Sequence, residues 1–247
     1  MFQTVNALVL REVRYKEADR ILTLLTDTEG KLTVKARGAL RKSSRTAAAT
    51  QQLTCSEMTL FGNKGRWTVN EASVREAFSG LREDMERLAL GAYFAECMEA
   101  FSVEDQPEPE LLQLGLNSLY ALSRGLYPPE KIKAAFELRL MCLSGYTPEL
   151  GRCAVCGKEP DDPVLSLDRG QVCCFGCGYA MGETVSLGGG ALDAARFLCT
   201  APPKQMLSFQ IGDDALLKLS DAAERYLLRR AERGFSTLDY WKRIRIR

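Results

Sequence analysis

The sequence predicts an α+β protein with an N-terminal β-barrel and a C-terminal helical region that a cysteine-rich segment interrupts. Three observations predict this organisation. The first 80 residues contain five short apolar segments separated by turn residues. From about residue 82 the apolar residues recur with helical spacing, and five of the nine cysteines lie within residues 151–178. Strands grouped before helices, rather than alternating with them, are typical of α+β folds.

Five segments rich in Val, Leu and Ile predict the strands of the barrel. They are residues 5–13, 20–26, 31–37, 53–61 and 66–74. The third alternates strictly, so Leu32, Val34 and Ala36 are expected on one face and the cations on the other. Residues 62–65 (GNKG) are expected to form a hairpin connection. Five strands in about 75 residues favour a Greek-key barrel of the oligonucleotide-binding (OB) type.

Helical periodicity predicts five helices in the rest of the chain. They cover residues 82–101, 110–123, 130–143, 191–199 and 213–233, with Pro and Gly near their boundaries. The first of them has an expected buried face consisting of Met85, Leu88, Ala92, Ala95 and Met98. Short connections between the first three helices predict a bundle.

Composition limits the class of protein. No apolar run approaches the roughly 20 residues of a membrane span, and residues 1–10 lack the basic start and apolar core of a secretory signal. We therefore expect a cytoplasmic protein with no membrane partner. In a reducing compartment, an odd number of cysteines favours metal ligation over a disulfide framework. Four further cysteines are expected to be small buried hydrophobes: Cys55, Cys97, Cys142 and Cys199.

The cysteine cluster has the spacing of a four-cysteine zinc site. Seventeen residues separate the pair Cys153 and Cys156 from the pair Cys174 and Cys177, and two such turns supply four thiolates to one tetrahedral ion. A glycine follows each pair, where a positive φ is expected to direct backbone N–H groups at the sulfurs. Cys173 lacks this setting and is expected to lie outside the site. We expect one structural Zn2+; redox or reversible metal sensing and a catalytic zinc are the alternatives.

The cysteine segment completes the expected domain organisation. An OB-fold nucleic-acid-binding domain is expected at residues 1–80. The helical domain is expected to comprise residues 81–150 and 188–247, with a zinc-binding insertion at residues 151–187 between its two parts.

Positive charge is concentrated in the predicted barrel. Residues 31–66 hold eight basic side chains against one acidic side chain, Glu57. The eight are Lys31, Lys35, Arg37, Arg41, Lys42, Arg45, Lys64 and Arg66. Together with Trp67 they form the expected nucleic-acid-binding surface, because cations neutralise phosphates and aromatic rings stack on bases. Tyr15 and Phe61 are also available for stacking, but core packing is the favoured expectation for these aromatic residues, and Trp67 is the best exception because it follows Arg66 beside the Gly-rich hairpin.

The C-terminal segment is also basic. Residues 225–247 hold eight basic against two acidic side chains, whereas residues 81–152 hold seven basic against twelve acidic ones. Basic ends around an acidic middle fit a polyanion that both ends contact. The terminal residues 241–247 (WKRIRIR) have three interpretations: a second DNA contact, a partner contact or a solvated tail.

Several motifs together resemble the RecO family of DNA repair and recombination mediators. They are residues 7–25 (ALVLREVRYKEADRILTLL), 30–32 (GKL), 36–45 (ARGALRKSSR), 136–140 (FELRL), 145–148 (GYTP) and the two CxxCG pairs. The resemblance covers nearly the whole chain. It implies an OB barrel, a helical domain and, in members that retain the cysteines, a zinc-binding insertion.

The resemblance also implies a function. Members of the family bind single- and double-stranded DNA, anneal complementary strands and, with the partner RecR, help the RecA recombinase to replace single-strand-binding protein. A bacterial cytoplasmic, nucleoid-associated location follows.

Two other classes of function stay open. One is a zinc-ribbon and OB interaction module of transcription or translation that binds RNA or protein. The other is an enzyme with a carboxylate site that the sequence does not reveal. We expect no enzymatic activity, because the chain contains no histidine to act as a general base near neutral pH and no phosphate-binding GxxxxGK[ST] loop.

Overall fold

The structure is a computed structural model that describes residues 1–245. Its N-terminal part is a closed five-stranded barrel with the strand order β1-β2-β3-β5-β4. The strands are β1 (Phe2–Tyr15), β2 (Asp19–Thr26), β3 (Gly30–Ala36), β4 (Cys55–Asn63) and β5 (Arg66–Glu76). Pairing of β1 with β4 closes the barrel, and β3 and β5 pair in parallel. The five expected strands are therefore confirmed, each within about three residues of its observed ends.

Apolar side chains from all five strands fill the barrel, and burial alternates along β3. On β3, Leu32, Val34 and Ala36 are buried, as expected, while Thr33 points to solvent. Leu22 and Leu24 of β2 face the same interior. Because a strand presents successive side chains to opposite faces, burying these residues places the β3 cations on the outer wall.

Seven helices follow within the described residues, with three short strands among them. The helices are α1 (Met85–Phe101), α2 (Pro109–Ser123), α3 (Pro129–Leu143), α4 (Phe175–Gly178), α5 (Gly188–Thr200), α6 (Asp213–Ala231) and α7 (Ser236–Ile244). The strands are β6 (Pro163–Ser166), β7 (Val172–Cys174) and β8 (Thr184–Ser186), which form one sheet in the order β7-β6-β8. None of the helices within residues 1–245 combines the length and hydropathy that a membrane span needs.

The chain divides into two compact units. One contains residues 1–124 and the segment from Phe235 onward; the other contains residues 125–234. The barrel, α1, α2 and α7 therefore belong to the first unit, and α3 to α6 with the small sheet belong to the second. The finer division into barrel, helical domain and zinc-binding insertion stays a prediction.

The expected buried face of α1 is wrong at its N-terminal end. Met85 and Leu88 are exposed, whereas Leu90, Phe94 and Cys97 are fully buried. The helix packs against β1, α2 and α7, so most of its circumference is covered and no single apolar stripe marks its core side. Its start is also later than expected, because the Asp84 side chain caps it by accepting from two backbone N–H groups.

A helix that the sequence did not predict occupies residues 236–244 of the basic C-terminal segment. Residues 236–244 form α7, whose Leu238 and Trp241 are buried in the first unit. A solvated tail is therefore wrong for this part of residues 241–247. Ile246 and Arg247 lie outside the described residues.

Candidate functional site

Cations and aromatic rings line one groove of about 680 Å³ at the surface of the barrel. Its aromatic residues are Tyr15, Phe61 and Trp67, and its cations are Lys35, Arg37 and Arg66. The remaining lining residues are smaller: Ile21, Thr33, Asn63, Gly65 and Thr68. The structure thus brings together four of the nine expected nucleic-acid-binding residues and all three stacking candidates.

The register of β3 against β5 assembles this groove. Lys35 lies opposite Thr68 in the parallel pair, and Val34 lies opposite Trp67. Residues 64 and 65, both at positive φ, reverse the chain tightly between β4 and β5. The Trp67 ring covers Gly62, where an added Cβ atom would lie 2.7 Å from the ring. Gly62 therefore leaves space for the indole, which is partly buried and packs against the apolar core of the barrel.

The cations of the groove differ in whether another side chain of the protein holds them. The Lys35 ammonium lies 2.9 Å from Asp19 Oδ2 and 5.0 Å from the centre of the Tyr15 ring. Hydrogen bonds from the Gly38 backbone N–H and from Lys35 lower the pKa of Asp19, which therefore stays ionised and orients the lysine. Within residues 1–245, the guanidinium groups of Arg37 and Arg66 have no hydrogen bond or ion pair. These two exposed charges are free to bind an anion.

Four other expected binding residues are exposed around the barrel but do not line the groove. Lys64 lies in the β4–β5 turn, and Arg41, Lys42 and Arg45 lie in the loop between β3 and β4. Their nucleic-acid role stays a prediction.

Lys31 is placed differently from the other cations. Its ammonium donates to the carbonyl oxygens of Glu99 at 2.9 Å and Ser102 at 2.7 Å, at the C-terminus of α1. A helix C-terminus favours a cation, so this lysine stabilises the junction of the barrel with α1. A DNA contact by Lys31 stays a prediction, and its ammonium already has these two acceptors.

The second candidate site is the cysteine cluster. The sulfur atoms of Cys153, Cys156, Cys174 and Cys177 all lie within 4.8 Å of one another. The sulfurs of Cys156 and Cys174 are 3.8 Å apart. A tetrahedral zinc ion with Zn–S bonds of about 2.3 Å separates its sulfurs by about 3.8 Å, so the arrangement fits this ion.

Backbone N–H groups surround the cluster. Those of Cys156 and Cys174 point at Cys153 Sγ from 3.5 Å and 3.4 Å, and that of Asp161 points at Cys174 Sγ from 3.4 Å. Burial raises the pKa of Cys153, but hydrogen bonds from the backbone N–H groups of Cys156, Cys174 and Val155 outweigh burial and lower it to about 6. Burial and the neighbouring thiols Cys153 and Cys156 raise the pKa of Cys177 to about 12.

The two glycines after the cysteine pairs have different roles. Gly157 has φ +72°, as expected. Gly178 ends the short helix α4 without a positive φ, so that expectation is wrong. A Cβ atom at Gly178 would lie 3.1 Å from Val164 Cγ2, and close packing on β6 therefore explains the glycine.

Cys173 is not among the four converging cysteines, although it packs in the same apolar cluster as Cys153. Its side chain is fully buried, and its thiol faces the Val164 carbonyl oxygen at 3.8 Å. Alternation along β7 turns Cys173 and Cys174 to opposite faces, which separates a packed cysteine from a candidate ligand.

The four cysteines outside the cysteine-rich segment differ in burial. Cys55 and Cys97 are buried, as expected. Cys142 and Cys199 are only partly buried, so the expectation of buried hydrophobes is wrong for these two.

Arginines of α6 hold the cysteine-rich segment in the second unit. Arg229 Nε donates to Asp168 Oδ1 at 2.6 Å, and Arg225 pairs with Glu183 at 2.8 Å. Arg230 donates to the Asp168 carbonyl oxygen at 3.0 Å. Much of the positive charge in residues 225–233 is therefore engaged within the protein, which sequence counting did not reveal.

Fold and site together define a class: an OB-fold protein with a helical part and a four-cysteine group at metal-binding distance. Comparison with known proteins specifies the class further. Residues 1–78 match the family model "Recombination protein O N terminal", and residues 82–239 match "Recombination protein O C terminal". The chain belongs to the RecO family of DNA repair proteins.

Whole-chain relatives agree with this assignment. The chain is 34% identical to "DNA repair protein RecO" of Acetivibrio thermocellus over 240 residues, which is 97% of this chain and 96% of that protein. It is 30% identical to the protein of the same name from Symbiobacterium thermophilum over 98% of this chain and 97% of that protein. The relative from Heliobacterium modesticaldum is 34% identical over 92% of this chain and 84% of its own length.

Proposed function

We propose that the barrel groove binds single-stranded DNA without sequence preference. The observation that carries the proposal is the alignment of three aromatic rings and three cations along one groove. Phosphates would lie against Lys35, Arg37 and Arg66, while bases stack on the rings of Tyr15 and Trp67. Stacking accepts every base, and phosphate contacts carry no sequence information.

Charges outside the groove extend this surface to longer DNA. Lys64 borders the groove, and the loop cations Arg41, Lys42 and Arg45 offer further phosphate contacts. Lys31 is the remaining cation among the expected nucleic-acid-binding residues, and we include it as a phosphate contact. Duplex DNA, whose bases are already stacked, would use the phosphate contacts and not the rings. Affinity for both forms therefore depends on salt, and the aromatic contribution is specific to single strands.

Strand annealing follows from the same surface. Neutralising the phosphates of one strand lowers the repulsion that keeps its complement away, and no covalent bond has to change. We accordingly propose a non-enzymatic mediator that, with RecR, helps RecA to replace single-strand-binding protein in the bacterial cytoplasm at the nucleoid. Membership of the RecO family supports this assignment.

The four-cysteine group is proposed to hold one structural Zn2+. Cys153, Cys156, Cys174 and Cys177 would supply four thiolates, which closes a tetrahedral shell and leaves no position for water or substrate. When bound, the ion would link the residue 153–156 turn to β7 and α4. The backbone N–H donors at two of the sulfurs are the outer partners that such sites use.

Equilibrium titration of fluorescent DNA tests the binding proposal. Arg37→Gln combined with Arg66→Gln removes two free phosphate contacts, so affinity for single strands falls and the negative slope of log K against log salt becomes shallower by about 1.4. Arg75→Gln is the matched control, since Arg75 lies on the same strand β5 but pairs with Glu57 outside the groove. Equal affinities for the double variant and the control would place the site elsewhere.

The same titration separates stacking from charge. Tyr15→Leu removes an exposed ring and leaves every cation, so we expect about 5- to 150-fold weaker binding to single strands and little change for duplex. RNA of the same sequence serves as the third ligand. A strong preference for RNA would favour the transcription or translation module instead.

A further inference from the structure

Two phenylalanine rings form an exposed pair on the barrel. Phe2 of β1 lies opposite Phe61 of β4 in the antiparallel register, and such cross-strand partners share one face of the sheet. The ring centres are 5.0 Å apart, and the ring planes are inclined by 48°. Phe2 is 62% exposed and Phe61 is 38% exposed. The pair therefore presents an apolar surface that the described part of the chain leaves open to solvent.

This pair continues a row of side chains that crosses all five strands. From Phe61 the register leads to Thr68 on β5, then to Lys35 on β3 and to Ile21 on β2. These four residues line the groove. Phe2 lies one strand beyond them in the same row. The row therefore extends the groove from β4 onto β1.

Alternation along the strands places the row on the outer face of the barrel. Each member of the row lies one or three positions from a residue of the barrel core, and an odd spacing turns two side chains to opposite faces. The core residues in question are Val5, Leu22, Val34, Leu60 and Val69. Neighbouring strands lie about 4.8 Å apart, so the row extends for about 19 Å along the surface.

Positive charge lies along the same row. Lys35 is one of its members, and Arg66 precedes Thr68 by two residues on the same face of β5. An anionic chain held by these cations would pass along the row towards the two phenylalanine rings. The combination of cations with open aromatic rings fits a polyanion that carries flat apolar groups, which is the chemistry of a nucleic-acid single strand.

We propose that Phe2 and Phe61 form a stacking site for one unpaired nucleobase at the β1 end of the groove. The proposal rests on the binding of single-stranded DNA by the groove, and it adds a base contact beyond the phosphate contacts. Stacking on a ring accepts every base, so the site adds affinity without sequence preference. In a duplex the bases stack on one another and do not reach the rings. The pair therefore contributes to the preference for single strands over duplex.

Equilibrium titration with a fluorescent single strand tests the role of Phe2 in the full chain. Phe2→Leu keeps an apolar side chain and removes the ring, so we expect about 5- to 150-fold weaker binding of single strands and unchanged binding of duplex. Phe2→Tyr keeps the ring and should retain the wild-type affinity. Wild-type affinity of Phe2→Leu for single strands would overturn the proposal.

Phe175→Leu is the matched control for the loss of an exposed ring. Phe175 lies in the second unit, is 57% exposed and also faces another ring, that of Tyr179, at 6.2 Å between ring centres. This variant should bind single strands as the wild type does. A loss of affinity equal to that of Phe2→Leu would show that the effect does not arise at the barrel and would overturn the proposal.

Photo-crosslinking locates the stacked base directly. Irradiation of a single strand that contains 5-iodouracil joins its bases to the side chains that touch them. Trypsin then separates the candidate rings: residues 1–11 contain Phe2, residues 46–64 contain Phe61 and residues 67–75 contain Trp67. We expect adducts on residues 1–11 and 46–64.

The two experiments together distinguish this inference from the function on which it rests. Adducts on residues 67–75 with none on residues 1–11 would overturn the stacking site and leave DNA binding by the groove intact. Unchanged affinity in both Phe2→Leu and the Arg37→Gln, Arg66→Gln double variant would overturn the stacking site and the proposed function together.

Discussion

A single residue is constrained by its neighbours as much as by its own conformation, and Gly30 demonstrates this. It has φ +69°, and a Cβ atom there would lie 2.0 Å from the Gln106 carbonyl oxygen. Gly65 has a similar φ of +74° with nothing within 4 Å of an added Cβ atom. The sequence marks both as turn glycines and does not distinguish them, because the contact of Gly30 with Gln106 joins residues distant in the chain.

Alanine substitutions at Gly30 and Gly65 distinguish backbone strain from a steric clash with a neighbouring residue. Gly65→Ala should cost about 1–2 kcal/mol, the usual penalty for a side chain in the left-handed region. Gly30→Ala should cost clearly more, because the backbone of Gln106 must also move. Urea unfolding of both variants measures the difference, and equal losses of stability would contradict the close approach.

Lys133 shows a second kind of constraint at the level of one residue. Its ammonium is buried on α3 and lies 2.9 Å from carboxylate oxygens of both Glu137 and Glu224. Burial opposes the charged form, but the two carboxylates outweigh it and raise the pKa of Lys133 above 10.5. Helical periodicity does not indicate this network, since it predicts α3 without identifying which charged side chains α6 covers.

Removing Lys133 should therefore destabilise the protein. Lys133→Met leaves two carboxylates without their cation and should cost about 3–5 kcal/mol. Glu224→Gln should cost less, because Glu137 still pairs with the lysine. Because the folded-state pKa is raised, the contribution of Lys133 should be complete below pH 10.5 and decline only above it. An unchanged urea midpoint for Lys133→Met would contradict this account.

At the scale of elements, sequence patterns identified strands better than they identified helix faces. The alternation in β3 predicted both its buried side and the cations beside the groove. The same kind of pattern failed to predict the buried face of helix α1, because three elements surround the helix and its buried residues form no single stripe. The sequence did not predict helix α7, because this short basic segment has the composition of a solvated tail. Burial of Leu238 and Trp241 stabilises it as a helix.

The cysteine segment shows what spacing can and cannot predict. Two matched Cys-x2-Cys pairs identified the four cysteines that converge and excluded Cys173. The pattern suggested two equivalent turns, whereas the structure has a glycine turn after Cys156 and a short helix containing Cys177. In this second pair Gly178 approaches Val164 closely, a contact that local spacing does not show.

Serine variants of adjacent cysteines test the proposed metal site. Cys174→Ser removes one of four converging sulfurs, so we expect its zinc content to fall well below one ion per chain. Cys173→Ser should retain one zinc, although it places a hydroxyl in a buried position and so lowers stability. Elemental analysis of purified protein distinguishes the two variants. Equal zinc contents would mean that the ligands are assigned wrongly.

At the scale of the whole molecule, charge counting along the chain was only partly informative. The basic segment of the barrel forms an exposed, cation-lined groove. In the C-terminal segment, by contrast, Arg225 and Arg229 are paired with acidic residues of the cysteine-rich region. Net charge therefore indicated a partner only where the fold leaves the cations exposed and unpaired.

The central proposal for the whole molecule is that the barrel groove brings DNA strands together. Annealing of complementary strands, with and without single-strand-binding protein, tests it most directly. The wild-type chain should accelerate annealing in both conditions, and the Arg37→Gln, Arg66→Gln double variant should lose most of that acceleration while Arg75→Gln keeps it. Acceleration by the double variant equal to that of the wild type would contradict the claim.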